Sequence, residues 1–425
     1  MKPPVCFPRL SSQSPYICNN CLLRTHRTSK LATQPLHRLY SSSSPNPASP
    51  HLPPAAGFTH LPSRRLIALT GPDSTHYLQG VITANLTPSP PRTSGFYAAF
   101  LNAQGRLLND VFIYPYTEPG KDSASGNGKG EGWLIEVDAK EVTVLAKHIK
   151  RYKLRAKFDV RVLDVGERGV WSVWEEGGEG WTMHALAGSG SGSESGGVGV
   201  GVGAGSGGSL NGGKAGGKEG VITCLDKRAP GMGRRFLLPG DTKPEIDAQE
   251  SSEDVYRVRR YLKGVPEGQD ELIREHALPQ ESNVDFMGGI DYKKGCYVGQ
   301  ELTIRTHHRG VVRKRILPIM LYGMEDGEPT SLEYDPRRGL GVEGIPRETG
   351  IGRFEKKGRS AGKFLAGVGN VGLGLCRLET MTDVLVQGEA GGYREGDEFT
   401  VQWEEEGEGK MLKIKAFVPS WHLKQ

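Results

Sequence analysis

Acidic residues are missing from the first 72 positions of this 425-residue chain; the first is Asp73. Before it stand Lys2, Arg9, Arg24, Arg27, Lys30 and Arg38, set among many serines and prolines. A disordered cytosolic tail ordinarily carries some acids, whereas this composition matches a mitochondrial transit peptide. Cysteine is scarce as well. Of six, Cys6, Cys18 and Cys21 lie in the leader, which leaves Cys224, Cys296 and Cys376. An odd number at wide spacing excludes a disulfide framework and fits a reducing compartment such as the mitochondrial matrix. Cys18-x-x-Cys21 has metal-ligand spacing, but no second pair follows, and it would leave with the leader. No apolar run approaches the length of a membrane span, so no membrane partner is expected. A large charge excess is also missing. The formal net charge is +5, and the leader's cations account for more than all of it. The remainder is close to neutral, so no nucleic-acid partner is expected on charge grounds.

Glycine, by contrast, is abundant, at 60 residues. Gly188 to Gly217 is nearly all Gly, Ser and Ala and reads as a flexible insert without core-forming residues. Lys121 to Gly130 reads as a polar loop. Around these, the patterning predicts short strands and a few helices. Arg65 to Thr70 reads as a strand, followed by a helix from Ser74 to Gln79 with Asp73 as N-cap and Gly80 as its stop. Phe96 to Leu101 and Arg106 to Tyr114 read as a hairpin about the turn 102–105. Val142, Leu145, Ala146 and Ile149 share one face of a helix over 139–149, and the basic run Lys147 to Lys157 reads as a solvated surface. Ser251 and Asp254 form a capping box for a helix with Val255, Val258 and Leu262 on its apolar face, stopped at Gly264. From Ile316 onward, alternating strands and glycine turns predict a small β-barrel, with an expanded loop over 323–363.

One stretch carries the chemistry: Lys294-Gly295-Cys296-Tyr297-Val298-Gly299-Gln300-Glu301. It puts a thiol on a glycine-flanked turn, where the backbone can approach a ligand or partner closely. Gln300 to His307 has no breaker and can start a helix, whose positive end would lie near Cys296, with Lys294 two residues before. Both features favour the thiolate. From residue chemistry alone Cys296 reads as a reactive nucleophile, a soft metal ligand, or a buried and inert thiol. The adjacent His307 and His308 would point apart on a helix and read as surface residues.

The stretch resembles the Lys-Gly-Cys-Tyr-x-Gly-Gln-Glu signature of the YgfZ family, which is related to the glycine cleavage T-protein, a tetrahydrofolate-dependent aminomethyltransferase. Three weaker matches lie in the right order: Gly71 to Thr83, Phe100 to Arg106, and the helix ending Gly264-Val265-Pro266-Glu267. The resemblance implies an α+β fold of two related domains around a central opening, plus a C-terminal β-barrel. The expected partition is a leader over 1–58, a first domain over 59–157, a second over 158–315 and the barrel over 316–425.

In function the resemblance implies a mitochondrial matrix assembly factor that helps A-type scaffold proteins form [4Fe–4S] clusters for aconitase-type and radical-SAM enzymes. Cys296 and Lys294 are then the reactive pair, and Gly295, Tyr297, Gly299, Gln300 and Glu301 the rest of the motif. Because clusters usually need four thiolates, Cys296 would ligate one only transiently and with a partner. Asp110 and Glu281 are the acids expected to face tetrahydrofolate. Two other readings stay open: a folate-dependent aminomethyltransferase using those acids, and an RNA-binding module using the basic run Arg305 to Arg315, which lacks interleaved aromatics.

Overall fold

Leu66 and Ala68 alternate with Ile67 and Leu69 along β2 (Arg64–Thr70), and both sets are buried. Such a strand must be covered on both faces. It lies in an antiparallel sheet of order β3-β4-β5-β2-β6, with β3 Phe96–Leu101, β4 Leu107–Thr117, β5 Glu131–Asp138 and β6 Asp159–Val162. Helices α1 (Ser74–Val81) and α2 (Val142–Tyr152) cover one face. The expected apolar face of α2 is buried. The opposite face, with Leu66, Tyr97, Phe112, Tyr114 and Leu134, joins the main core.

The computed structural model describes residues 49–118, 131–177, 220–354, 358–386, 388 and 392–423. Residues 1–48 of the leader, the loop 121–130 and the insert 188–217 lie outside the described residues.

A second sheet has the order β10-β1-β7-β9-β8. Its strands are β1 (Ala56–His60), β7 (Arg168–Glu175), β8 (Ile222–Leu225), β9 (Arg234–Pro239) and β10 (Gln249–Glu250). Two strands depart from the linear partition. β1 precedes the first sheet in sequence but pairs with β7 of the second, and β6, beyond the boundary at 157, pairs with β2 of the first. β1 also begins inside the stretch assigned to the leader, and the Pro54 carbonyl accepts the Trp174 indole N–H at 3.0 Å.

Helix α3 (Glu253–Lys263) buries Val255, Tyr256, Val258 and Tyr261 in the main core. Its cap is Ser252, whose hydroxyl accepts from the Val255 amide at 3.4 Å, one residue later than the expected Ser251. Gly264, left-handed at φ 69°, ends it as expected. The irregular connection 264–299 then leads to α4 (Gln300–Arg309).

The C-terminal strands close a six-stranded barrel in the order β11-β14-β13-β12-β15-β16. They are β11 (Lys314–Tyr322), β12 (Gly350–Arg353), β13 (Gly362–Val368), β14 (Val371–Arg377), β15 (Phe399–Glu405) and β16 (Glu408–Ala416), with the short α5 (Leu378–Met381) after β14. The stretch 323–363 is therefore not only a loop: β12 within it bridges β13 and β15 and completes the closure. A four-residue strand with two glycines is too short and too weakly patterned to be read from sequence. Trp421 packs against the main core and donates its indole N–H to the Lys263 carbonyl at 3.0 Å, tying the chain end to α3.

Candidate functional site

The cysteine loop is held by two segments far away in sequence. Its first anchor is Lys294. The ammonium donates to the carbonyls of Gln79, Ile82 and Ala84 at 2.7, 2.8 and 3.0 Å. These oxygens belong to the last turn of α1 and the residues beyond it, where a helix leaves carbonyls without partners and favours a cation. The Val298 amide adds a bond to the Gly80 carbonyl at 3.0 Å. Gly80 therefore lies within α1, which runs on to Val81 and ends at the extended Ile82. Asp73 stands at the helix start, but its carboxylate accepts the Lys157 amide at 2.6 Å and makes no cap bond.

The second anchor is the hairpin between β3 and β4. Gly299 sits at φ 78°, and a Cβ there would lie 2.3 Å from the Asn102 carbonyl oxygen. Gly105 in the hairpin turn sits at φ 79°, and its Cβ would lie 2.8 Å from the Gly299 carbonyl oxygen. Two left-handed glycines thus permit a backbone-to-backbone seat that no other residue allows. Tyr297 is buried behind the loop, with its amide donating to the Gln300 side-chain oxygen at 3.1 Å. Tyr292 stacks on His307 of α4, centroids 3.7 Å apart. The matches at 71–83 and 100–106 therefore meet the signature at 294–301 in space. Sequence reasoning took the first as a helix–turn joint and the second as a hairpin, and missed their shared role as the socket of the loop.

Cys296 is exposed at the tip of this loop, so the buried, inert reading does not hold for it. It does hold for Cys224 and Cys376, whose thiols burial pushes up to about 12. The hydrogen bonds of the Lys294 ammonium go to backbone and not to the thiol. An ammonium has three N–H bonds, and here three carbonyls receive them. Burial also pulls its pKa down to about 8. Gln300 and Glu301 continue onto the outer face of α4, where they line a shallow groove with Ile304, Arg305, His308 and Arg309. Among the described residues no group of three or more His, Cys, Asp or Glu is arranged to hold a metal ion.

Asp110 and Glu281 do not converge. Asp110 has no exposed surface; it accepts the Gly268 amide at 3.1 Å and faces the Arg64 guanidinium at 3.4 Å. It is shut off from solvent. Burial pushes its carboxyl up, against the pull of Arg64. It belongs to an internal ion network across the two sheets. Arg235 reaches Glu136 at 3.1 Å and also pairs with Glu267, while Arg228 bonds Asp226 and Glu267, each at 2.7 Å. Burial opposes the ionisation of Glu267, but Arg235, Arg228, Arg260 and Arg64 outweigh it and hold its carboxyl well below the usual range.

Beside this network a cavity of about 480 Å³ opens where Arg64, α3, the 267–271 segment and the barrel residues Arg347 and Phe364 meet. Glu281 lines a second cavity of about 400 Å³ and pairs with Lys314 at 3.3 Å. The basic run 305–315 is likewise divided. Arg315 is buried and bonds both oxygens of Asp285 at 2.9 Å, and Lys314 is held by Glu281. It is not one continuous face for RNA.

Similarity to known proteins covers nearly the whole chain. Residues 313–423 match the family model described as the CAF17 C-terminal beta-barrel domain. The chain is 46% identical over 434 residues to the mitochondrial iron–sulfur cluster assembly factor IBA57 homolog of Chaetomium globosum, covering 96% of this chain and 92% of that protein. To the homolog of the same name in Pyricularia oryzae it is 49% identical over 375 residues, covering 86% and 85%. Among solved structures, the glycine cleavage system aminomethyltransferase T from Bartonella henselae superposes with a TM-score of 0.54 at 12% identity, covering 86% of each chain. That likeness concerns the fold: mixed α+β, with the closed barrel at its C-terminal end.

Proposed function

The chain belongs to the IBA57 family of mitochondrial iron–sulfur cluster assembly factors, and on that premise we propose that it works in the mitochondrial matrix and presents Cys296 to a cluster-bearing partner. The observation that carries this reading is a free, exposed thiol on a loop pinned at both ends, while the other two body cysteines are buried. A pinned loop limits the entropy lost when the thiol meets a partner. Thiolate is the form that ligates iron, and a single cysteine supplies one of the four ligands a cluster usually takes. The partner then supplies the rest, and the cluster is cargo. The partner in this proposal is an A-type scaffold protein, and the product is a [4Fe–4S] cluster for aconitase-type and radical-SAM enzymes. Joining two [2Fe–2S]²⁺ units into one [4Fe–4S]²⁺ consumes two electrons, which a separate reductant provides.

The test is matrix aconitase activity in cells lacking this protein and supplied with Cys296→Ser. The expected result is normal folded protein with little recovery of aconitase. Full recovery at equal protein level would remove the thiol from the mechanism and leave the loop a docking role.

Tetrahydrofolate is the second ligand in this proposal. The T-protein-like fold and the cavity beside Arg64 support it. The two carboxylates expected to hold it do not fit that task as they stand, since Asp110 is inaccessible and Glu281 lines the other cavity. No step of the assembly reaction is therefore routed through it. Titration calorimetry with tetrahydrofolate decides the matter: heat on binding and a raised melting temperature support a folate site, and neither at saturating ligand removes it.

A further inference from the structure

A run of cations lies on α2 and the turn after it. From Val142 to Phe158 there are six cations and no acid. Lys147, Lys150, Arg151, Arg155 and Lys157 are exposed, and none forms an ion pair among the described residues. Val144, Lys147 and Arg151 recur at helical spacing on the face of α2 opposite its buried stripe. The bordering acids leave this charge standing. Glu141 is paired with Arg274 at 3.3 Å, which leaves Asp73, whose carboxylate accepts the Lys157 amide, and the exposed Asp159 against the six cations.

Large apolar side chains stand out among these cations. Val144 is 42% exposed, Tyr152 51% and Leu154 83%. Leu154 also has φ 48°, the left-handed region that a bulky residue rarely adopts. It occupies the tight turn that follows α2, where the Ala156 amide bonds the Lys153 carbonyl at 2.9 Å. Glycine or asparagine would sit there without strain. An exposed leucine held in a strained turn gains nothing from the fold that would offset that cost.

We propose that the outer face of α2 and the turn after it form a docking surface for an anionic phospholipid membrane. Cations spaced along a helix are drawn to a negative lipid surface, and protruding aliphatic and aromatic tips enter the boundary between headgroups and acyl chains. A nucleic acid would reward the cations and the tyrosine but not Leu154 and Val144. The sequence carries no spanning run, and a peripheral contact needs none. The Asp73–Lys157 bond lies at the start of α1, and the Lys294 socket lies at its other end. Eight residues of helix, about 12 Å, separate them.

The experiment is co-sedimentation of the full chain with vesicles. Every sample carries Lys2, Arg9, Arg24, Arg27, Lys30 and Arg38 replaced by glutamine, so that the leader does not supply the attraction. Vesicles are phosphatidylcholine alone or with about 30 mol % phosphatidylglycerol. Binding is expected only to the anionic vesicles. Leu154→Gly should weaken it about tenfold without lowering the melting temperature, because glycine relieves the backbone strain. The double variant Lys147→Gln, Arg151→Gln should weaken it by a similar factor. Absence of binding to anionic vesicles would overturn the proposal. So would unchanged binding of Leu154→Gly, which would reduce the attraction to charge alone. Binding to polyuridylate that exceeds binding to vesicles would assign the surface to nucleic acid instead.

Discussion

Lys294 and Cys296 are two residues apart, and the structure gives them separate tasks. The lysine fastens the loop to the end of α1, while the cysteine faces solvent. Their substitutions should therefore behave differently. Lys294→Met keeps the stem but leaves three carbonyls short of a donor, and stability should fall by about 2 kcal/mol. Cys296→Ser changes an exposed side chain, and stability should stay within about 0.5 kcal/mol. Urea unfolding of both variants measures the difference. Equal stability losses would mean that the thiol is packed in solution. A loss of function in Lys294→Met beyond its loss of folded protein would show that the loop's position, and not only its thiol, is needed.

At the scale of elements, the loop depends on the glycine seat between the β3–β4 turn and the start of α4. Gly299→Ala would push a methyl carbon against the Asn102 carbonyl at a left-handed position. The expected cost is about 1–3 kcal/mol. Amide hydrogen exchange should show the loss concentrated in 294–301 and the hairpin, and uniform exchange across the fold would contradict a local seat. The C-terminal turn gives a second prediction. His422 is buried edge-on against Trp421 and near Phe286, and burial, with Arg315 nearby, pulls its pKa down to about 3. The folded chain thus keeps this imidazole neutral over a range where the unfolded chain binds a proton. Its contribution is full above the unfolded value of 6.5 and is lost as pH falls below it. His422→Phe should flatten the decline in urea midpoint between pH 6.5 and pH 5 relative to the parent chain. An unchanged slope would place that acid sensitivity elsewhere.

For the whole molecule, the internal ion network is what joins the two sheets electrostatically. Arg64, Asp110 and Glu136 come from the first sheet, Arg235 from the second, and Glu267 from the connection after α3. Buried pairs of this kind contribute little beyond an apolar equivalent, but removing one partner leaves an uncompensated charge. Arg235→Met should therefore cost about 3–5 kcal/mol, read from denaturant unfolding, by leaving the buried Glu267 and Glu136 one cation short. A loss below 1 kcal/mol would mean that water reaches the network.

Periodicity was enough to place most of the local structure. Val142, Leu145, Ala146 and Ile149 share a helical face, and the hairpin at 102–105 and the stop at Gly264 follow from side-chain spacing and backbone freedom alone. The thiol motif was also legible, because its residues are contiguous. What the sequence by itself left open depends on partners distant along the chain. Only the tertiary structure decides that Lys294 points at α1, since its acceptors are carbonyls that every residue possesses. The same holds for Asp110: whether an acid on a strand meets solvent, a ligand or an arginine is set by Arg64 on the neighbouring β2 and by Gly268, 158 residues further on. The exchange of β1 and β6 between sheets has the same origin. Strand pairing is made through backbone groups common to all residues, so pairing over long distances is settled by which apolar faces can be buried together.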